Sequence, residues 1–302
     1  MPTPTPVLLD TDIGTNVDDL LALLLVATAP ELTLAGVTTV YGDTRLRAQV
    51  ALRVLRLLGQ DHVPVGPGVG DPRSCRQVYW PGHEGRGYGE LPALPQDAPS
   101  AREVFCSALD RYGADLTVVA IGPLTNVAGY LELAAARGQR LRRLVVMGGQ
   151  FGEGPPDRNI ASDAAAAQAV AAANVDTVYV PINICRQVRM TAGDFNCASI
   201  GTELGGVIRT QVDTWLAYLD ARHLNPCDPL TALYLLAPEV FDIATALVDF
   251  TDEGATLVAP DGHAAIGSRY VASVRAGTAV AEIRRRLETA VVAAEGPTPA
   301  AS

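Results

Sequence analysis

Apolar positions fall into two alternating patterns through the first 180 residues of this chain. Short apolar runs at Val7–Leu9, Leu32–Val40, Val63–Val65, Leu116–Ile121, Leu141–Met147 and Thr177–Val180 have the length and composition of buried strands. Between them, Asp18–Ala29, Arg45–Leu58, Ala101–Tyr112, Thr125–Ala136 and Asp163–Ala173 read as helices. Such alternation predicts an α/β fold, a mostly parallel open sheet flanked by helices on both faces. The C-terminal half is more helical, with Leu204–Arg222 and Pro229–Leu236, then a hairpin of Thr256–Ala259 with Tyr270–Val274, and a helix from Ala279 to about Ala290. No Ser/Gly linker and no repeat divides the sequence, so residues 1–294 read as a single domain. Residues 295–302, rich in Pro, Thr and Ala, read as a disordered tail.

In open sheets of this kind the ligand sits beyond the carboxyl ends of the strands. That rule selects Asp10 and Asp12, Gly42-Asp43, Ile121-Gly122-Pro123, Met147-Gly148-Gly149 and Asn183. Each glycine pair alone is an ordinary tight turn; their shared position at strand ends points to one site.

The first of these turns changes the picture most. Asp10, Asp12, Asp18 and Asp19, with Asn16, crowd one strand-to-helix connection ahead of the apolar run Leu20–Val26. Acids at a helix start can be N-caps that answer free N–H groups and the helix dipole. One or two suffice for that, and four repel one another. A hard cation, which takes carboxylate and carbonyl oxygens, would neutralise them.

Composition narrows the partners. The chain has 302 residues, 48% of them hydrophobic, enough to bury a substantial core. A net charge of −10 argues against nucleic acid or an anionic membrane as partner. All 23 basic residues are arginine. No apolar stretch reaches the ~20 residues of a membrane span, and no signal-peptide pattern is visible near Met1. Cysteines 75, 106, 185, 197 and 227 are odd in number and lack CxxC spacing, which speaks against a disulfide framework or a zinc site. The expectation is a soluble, cytoplasmic protein.

The blocks Asp10-Thr11-Asp12…Asp18-Asp19, Thr38-Thr39-Val40-Tyr41-Gly42-Asp43 and Gly82-His83-Glu84-Gly85 resemble those of the inosine-uridine-preferring nucleoside hydrolases. So do Ile121-Gly122-Pro123-Leu124-Thr125-Asn126, Met147-Gly148-Gly149 and Cys227-Asp228-Pro229-Leu230. The resemblance implies Ca²⁺-dependent hydrolysis of the N-glycosidic bond of a ribonucleoside or related N-riboside. By position it implies Ca²⁺ held by Asp12, Asp19, the Ile121 carbonyl and Asp228, with Asp12 also the general base toward a water that the metal acidifies. It implies ribose contacts from Asp18, Asn159, Asp157 and Met147, with His83 near the 5′ side. Asp10, Asn16 and Asp43 are expected around the metal site. The transition state would be oxocarbenium-like. A homo-oligomer, dimer or tetramer, follows from the resemblance alone.

Four departures from the family pattern stand out. The opening loop is longer by Thr15 and Asn16, and Asp43 stands where many members carry asparagine. The stretch Gln150–Arg158 is shortened, so that only Asn159 matches cleanly and Asp157 replaces a glutamate. Cys227 replaces a histidine that precedes the metal aspartate, and a thiol is a weaker acid than imidazolium. Cys227 is equally readable as a small buried apolar residue. Help for the departing base could instead come from Trp215, Tyr218, Arg222, His223 or Asn225; Trp215 and Tyr218 share a helix face, which is also ordinary core packing. His62 and His263 read as solvated residues beside turns.

Two other functions compete. A Mg²⁺-dependent phosphatase of haloacid dehalogenase type also places Asp-x-Asp after its first strand, but lacks the second acid pair and usually needs a lysine, which this chain does not contain. A riboside-binding or sensing paralogue would keep the cation and lack efficient catalysis.

Overall fold

The computed structural model describes residues 3–199, 201–259 and 268–294. Among the described residues one nine-stranded sheet runs in the order β3-β2-β1-β4-β5-β6-β9-β7-β8, in which β7 is Phe241–Phe250, β8 Thr256–Ala259 and β9 Ser268–Val274. The six strands of the first half are β1 (Thr5–Thr11), β2 (Leu32–Thr39), β3 (Val65–Pro67), β4 (Thr117–Ala120), β5 (Arg143–Met147) and β6 (Thr177–Val180), all mutually parallel. Successive residues supply opposite faces. Val7, Leu9, Val119, Val145 and Val178 enter one core, while Leu8, Val118, Leu144 and Tyr179 enter the other. Both faces are apolar, which is why these strands read as continuous hydrophobic runs.

Helices α1 (Val17–Thr28), α2 (Thr44–Leu57), α8 (Glu203–Leu219), α9 (Cys227–Leu236) and α10 (Ala276–Ala293) join the first core. Helices α3 (Ala101–Tyr112), α4 (Thr125–Ala136) and α6 (Ala164–Ala172) cover the second. Leu20 to Val26 of α1 are buried without exception, so that helix lies inside the molecule and needs no polar stripe.

The expected elements of the first half are present within a few residues. The expected hairpin is not. Thr256–Ala259 (β8) pairs antiparallel with a long strand β7 (Phe241–Phe250), and Ser268–Val274 (β9) pairs with β7 on its other side and with β6. Strand β7 inserts between the two segments taken as hairpin arms; its Ala and Thr residues made it inconspicuous beside the Val- and Leu-rich strands. The helix expected over Leu204–Arg222 ends at Leu219, where Asp220 turns left-handed, so Arg222 lies in a loop. Two short helices, α5 (Arg158–Ser162) and α7 (Ile182–Cys185), follow β5 and β6. The proposed tail at 295–302 and His263 lie outside the described residues. Among the described residues no helix is long and apolar enough to cross a membrane.

Candidate active site

Strand order reverses at β1, whose neighbours are β2 and β4. The crevice beyond the carboxyl ends of β1 and β4 is therefore the topological switch point of the sheet. It opens into a cavity of about 300 Å³. Asp12, Asn16, Asp18, Asp19, Ile121, Met147, Asp157, Asn159, Trp215, Cys227 and Asp228 all line it, although they span more than two hundred positions of the chain.

Carboxylate oxygens of Asp18, Asp19 and Asp228 lie within 4.8 Å of one another. Asp18 and Asp19 open α1, and Asp228 is the second residue of α9, so two helix starts deliver three buried acids to one point. Asp12 lines the same cavity outside that triangle. Burial raises the pKa of all four, and like-charged neighbours add to it for the three in the triangle. Asp18 is pushed up to about 7 by burial and then by the charge of Asp12. Asp19 and Asp228 are raised well above the usual carboxylate range, again by burial first. Among the described residues, the buried atoms Asp18 Oδ1 and Asn16 Oδ1 have no hydrogen-bond partner. Oxygen-only donors, mutual repulsion and unmatched lone pairs all fit a hard divalent cation, which would relieve each of these costs.

Behind this layer Asp10 is fully buried. Its Oδ1 accepts from Thr38 Oγ1 (2.5 Å), Asn126 Nδ2 (2.8 Å) and Tyr130 Oη (3.5 Å), and burial pushes its pKa up to about 7. It holds β1, β2 and α4 together and does not line the cavity. The longer opening loop is pinned by Arg47, which is 1% exposed. Its guanidinium donates to the carbonyls of Tyr41 (2.7 Å), Ile13 (2.9 Å) and Asp12 and to Thr15 Oγ1 (3.1 Å). From the other side His83 Nε2 lies 2.9 Å from the Thr15 carbonyl, and Glu84 accepts from Thr15 Oγ1 and Gly82 N. His83 thus sits on the loop at the rim rather than in the cavity lining.

At the end of β4, Gly122 is held close to the first turn. A Cβ there would stand 3.0 Å from Asp12 Oδ1 and 2.8 Å from Val40 Cγ1, so glycine is required by close approach. Asn159 Nδ2 donates to the Ile121 carbonyl (2.9 Å) and lies 3.2 Å from Met147 Sδ, which joins the ends of β4 and β5 to α5. Asp157 is the N-cap of α5 through Ile160 N (3.1 Å); it is 4% exposed, and burial lifts its pKa to about 6.

Aromatic rings also line the cavity: Tyr41, Tyr79 and Trp215. Tyr218 does not line it; it is exposed and stacks on Trp215 with ring centroids 5.4 Å apart, and the His83 ring lies 5.0 Å from Tyr218. Tyr79 hydrogen-bonds Tyr218 through their hydroxyls. Cys227 is buried at the cavity wall, and its thiol is raised well above the usual range by the Cys185 thiol, by burial and by Asp18 and Asp228.

Some expectations do not meet the cavity. Asp43 is exposed and caps α2 through Leu46 N (3.0 Å), which satisfies it away from the acids. Arg222 is exposed, and neither it nor His223 lines the cavity, because α8 ends before them. Residues missed in the sequence include Arg47, Tyr79, Arg158 and Arg186, while Tyr41 stood in a family-resembling block with no role of its own. Asp163 was missed as well. It accepts from Arg73 N, Ser74 N, Ser74 Oγ, Thr125 Oγ1 and Ala166 N, fastening the 71–75 loop to α4 and α6. None of these has a local signature apart from Asp163, a polar residue directly before an Ala-rich helix.

The family model for inosine-uridine preferring nucleoside hydrolase matches residues 7–289. Uridine nucleosidase 1 of Arabidopsis thaliana is 27% identical over 265 residues, covering 82% of this chain and 78% of that protein. A pyrimidine-specific ribonucleoside hydrolase, RihA, of Enterobacter sp. (strain 638) is 30% identical over 268 residues, covering 82% and 84%. Among solved structures, a plant nucleoside hydrolase superposes with a TM-score of 0.84 at 23% identity, covering 95% of this chain and 99% of that one. A purine-preferring ribonucleoside hydrolase from Gardnerella vaginalis has the same TM-score at 22% identity, with the same coverage. This chain belongs to the inosine-uridine preferring nucleoside hydrolase family, enzymes that hydrolyse the N-glycosidic bond of ribonucleosides.

Proposed function

We propose that this hydrolase is Ca²⁺-dependent and that Asp12 is its general base. The observation that carries the reading is the set of buried carboxylates at the switch point, three of them within 4.8 Å, with Asp18 Oδ1 buried and without a hydrogen-bond partner. Asp12, Asp19, Asp228 and the Ile121 carbonyl are the residues proposed to hold the cation, and Asp18 stands close enough to share that task or to bind a ribose hydroxyl. Ca²⁺ held there would supply Lewis acidity toward a water and toward the sugar hydroxyls.

The remaining steps fall to side chains. Asp12, partly relieved of its burial cost by Arg47 and Arg158, accepts the proton of the attacking water at its carboxylate. Asp18 accepts from a ribose hydroxyl. Asn159 keeps the Ile121 carbonyl oriented, and Asp157 and Met147 bound the sugar from the β5 side. The ring of carboxylates favours the positive charge that develops on the sugar, so stabilisation concentrates in the transition state. Trp215, backed by Tyr218, offers a stacking surface for the base.

Departure of the base is the weak step. The Cys227 thiol is held protonated so firmly that it is a poor acid, and the His83 imidazole is engaged at Thr15. Substrates whose base leaves readily are therefore favoured. One continuous sheet carries the strand ends of the site, which supports treating residues 1–294 as one domain. The strongly negative charge supports a setting without a nucleic-acid or anionic-membrane partner; a cytoplasmic homo-oligomer acting on free nucleosides is proposed from the family resemblance, not from the charge.

A nucleoside panel with free base quantified tests the reading. Hydrolysis of at least one ribonucleoside, and loss of about 10³-fold in kcat on Asp12→Asn with folding retained, are the expected results. Unaltered kcat in that variant would remove Asp12 from the mechanism. Binding of ribose without turnover of any riboside, even one with an activated leaving group, would favour the sensing role.

A further inference from the structure

Two arginines line the cavity without touching substrate in the chemistry above: Arg158 only eases the charge of Asp12, and Arg186 has no part in it. Arg158 stands between Asp157 and Asn159 at the start of α5, and its guanidinium lies over the Tyr79 ring, 4.5 Å from the centroid. Arg186 is the residue after Cys185 at the end of α7, on the Cys227 side, and its Nη1 reaches Gln150 Oε1 at 3.5 Å. Both residues are exposed toward solvent.

Among the described residues neither takes part in an ion pair, whereas Arg73, Arg143 and Arg286 each hold a carboxylate. This separation is notable in a cavity that contains Asp12, Asp18, Asp19, Asp157 and Asp228. In the proposed reading those acids would be taken up by the cation, by helix capping or by burial, so neither guanidinium is matched by a carboxylate of its own. A guanidinium resting on an aromatic ring keeps its in-plane N–H donors available, and their fork matches a carboxylate or a phosphate. A neutral nucleoside offers such a fork nothing of comparable strength.

We propose that this site selects N-ribosides that carry an oxyanion, and that Arg158 and Arg186 hold that group. The inference rests on the riboside-hydrolase reading. A carboxylate on the base and a phosphate on the sugar share this chemistry, and the test separates them.

Binding is measured by calorimetry with Ca²⁺ present on the Asp12→Asn protein, using uridine, uridine 5′-monophosphate and orotidine. At least one anionic compound is expected to bind about tenfold or more tighter than uridine. Uridine 5′-monophosphate alone gaining would assign a phosphate, and orotidine alone a carboxylate. Adding Arg158→Gln and Arg186→Gln, both on exposed side chains, should cut the advantage below about threefold with an unchanged circular dichroism spectrum. An advantage under about threefold for both anionic compounds, or one that survives the double substitution, overturns the proposal. If the wild-type protein hydrolyses no riboside, the hydrolase reading fails while the binding comparison still decides this one.

Discussion

Asp12 and Asp18 differ in what surrounds their carboxyl groups. Asp12 faces Arg47 and Arg158 from outside the acid triangle, whereas Asp18 is a member of it and keeps an unpartnered oxygen. A base has to be ionised near neutral pH, and the two arginines favour that form of Asp12. The neighbouring Gly122 tests how closely Asp12 must be placed. Gly122→Ala puts a methyl 3.0 Å from Asp12 Oδ1. It should lower kcat by about tenfold or more while costing stability only about 1–3 kcal/mol, compared by steady-state kinetics and urea unfolding. Unchanged kcat would show that Asp12 tolerates displacement. Cys227 gives the opposite kind of test. Cys227→His restores a donor that titrates near neutrality, and kcat on uridine or inosine should rise; no gain would mean that the leaving group is assisted from elsewhere.

At the scale of elements, the site is held by contacts that tie loops to strand ends. Arg47 on α2 threads into the turn after β1 and takes three carbonyls and a hydroxyl. Arg47→Met keeps much of the volume and strands those acceptors, so unfolding free energy should fall by about 3 kcal/mol in urea denaturation. A change under about 0.5 kcal/mol would deny Arg47 its structural role. The same elements show what could be read in the sequence. Strands β1 to β6 are apolar on both faces and stood out, and the opening acid cluster stood out because carboxylates beside apolar runs are costly without a purpose, whereas Asp228 came only with the family resemblance. Strand β7 did not, since half of it faces solvent and Ala and Thr dilute its pattern. Arg47, Arg158 and Tyr79 were invisible as site residues because their roles arise from approach in space. Asp43 misled for a related reason: nearness to a strand end does not decide which way a side chain turns, and the start of α2 claimed it.

For the whole molecule, the concentration of buried acids ties stability to pH and to the cation. Burial, and for Asp18 also the charge of Asp12, lifts the pKa of Asp10 and Asp18 from the ordinary 3.8 to about 7 in the fold. Between those values the native state binds more protons than the unfolded chain, so unfolding free energy falls as pH rises from about 4 to about 7. The Asp10 shift alone corresponds to on the order of 4 kcal/mol. Metal-free protein should therefore melt at a lower temperature at about pH 8 than at about pH 5.5. A hundredfold excess of Ca²⁺ over its Kd should then add about 2.7 kcal/mol at the higher pH. Melting curves that rise with pH, or ignore Ca²⁺, would mean that the acids are not held as described.

The central claim is that these carboxylates form a cation site on which riboside hydrolysis depends. It is tested most directly by following ribose release from uridine, inosine and p-nitrophenyl riboside with chelator-treated protein, before and after Ca²⁺ is restored. The account predicts no release of sugar in chelator from any of the three and recovery of activity on at least one with Ca²⁺. Full activity in chelator would contradict it.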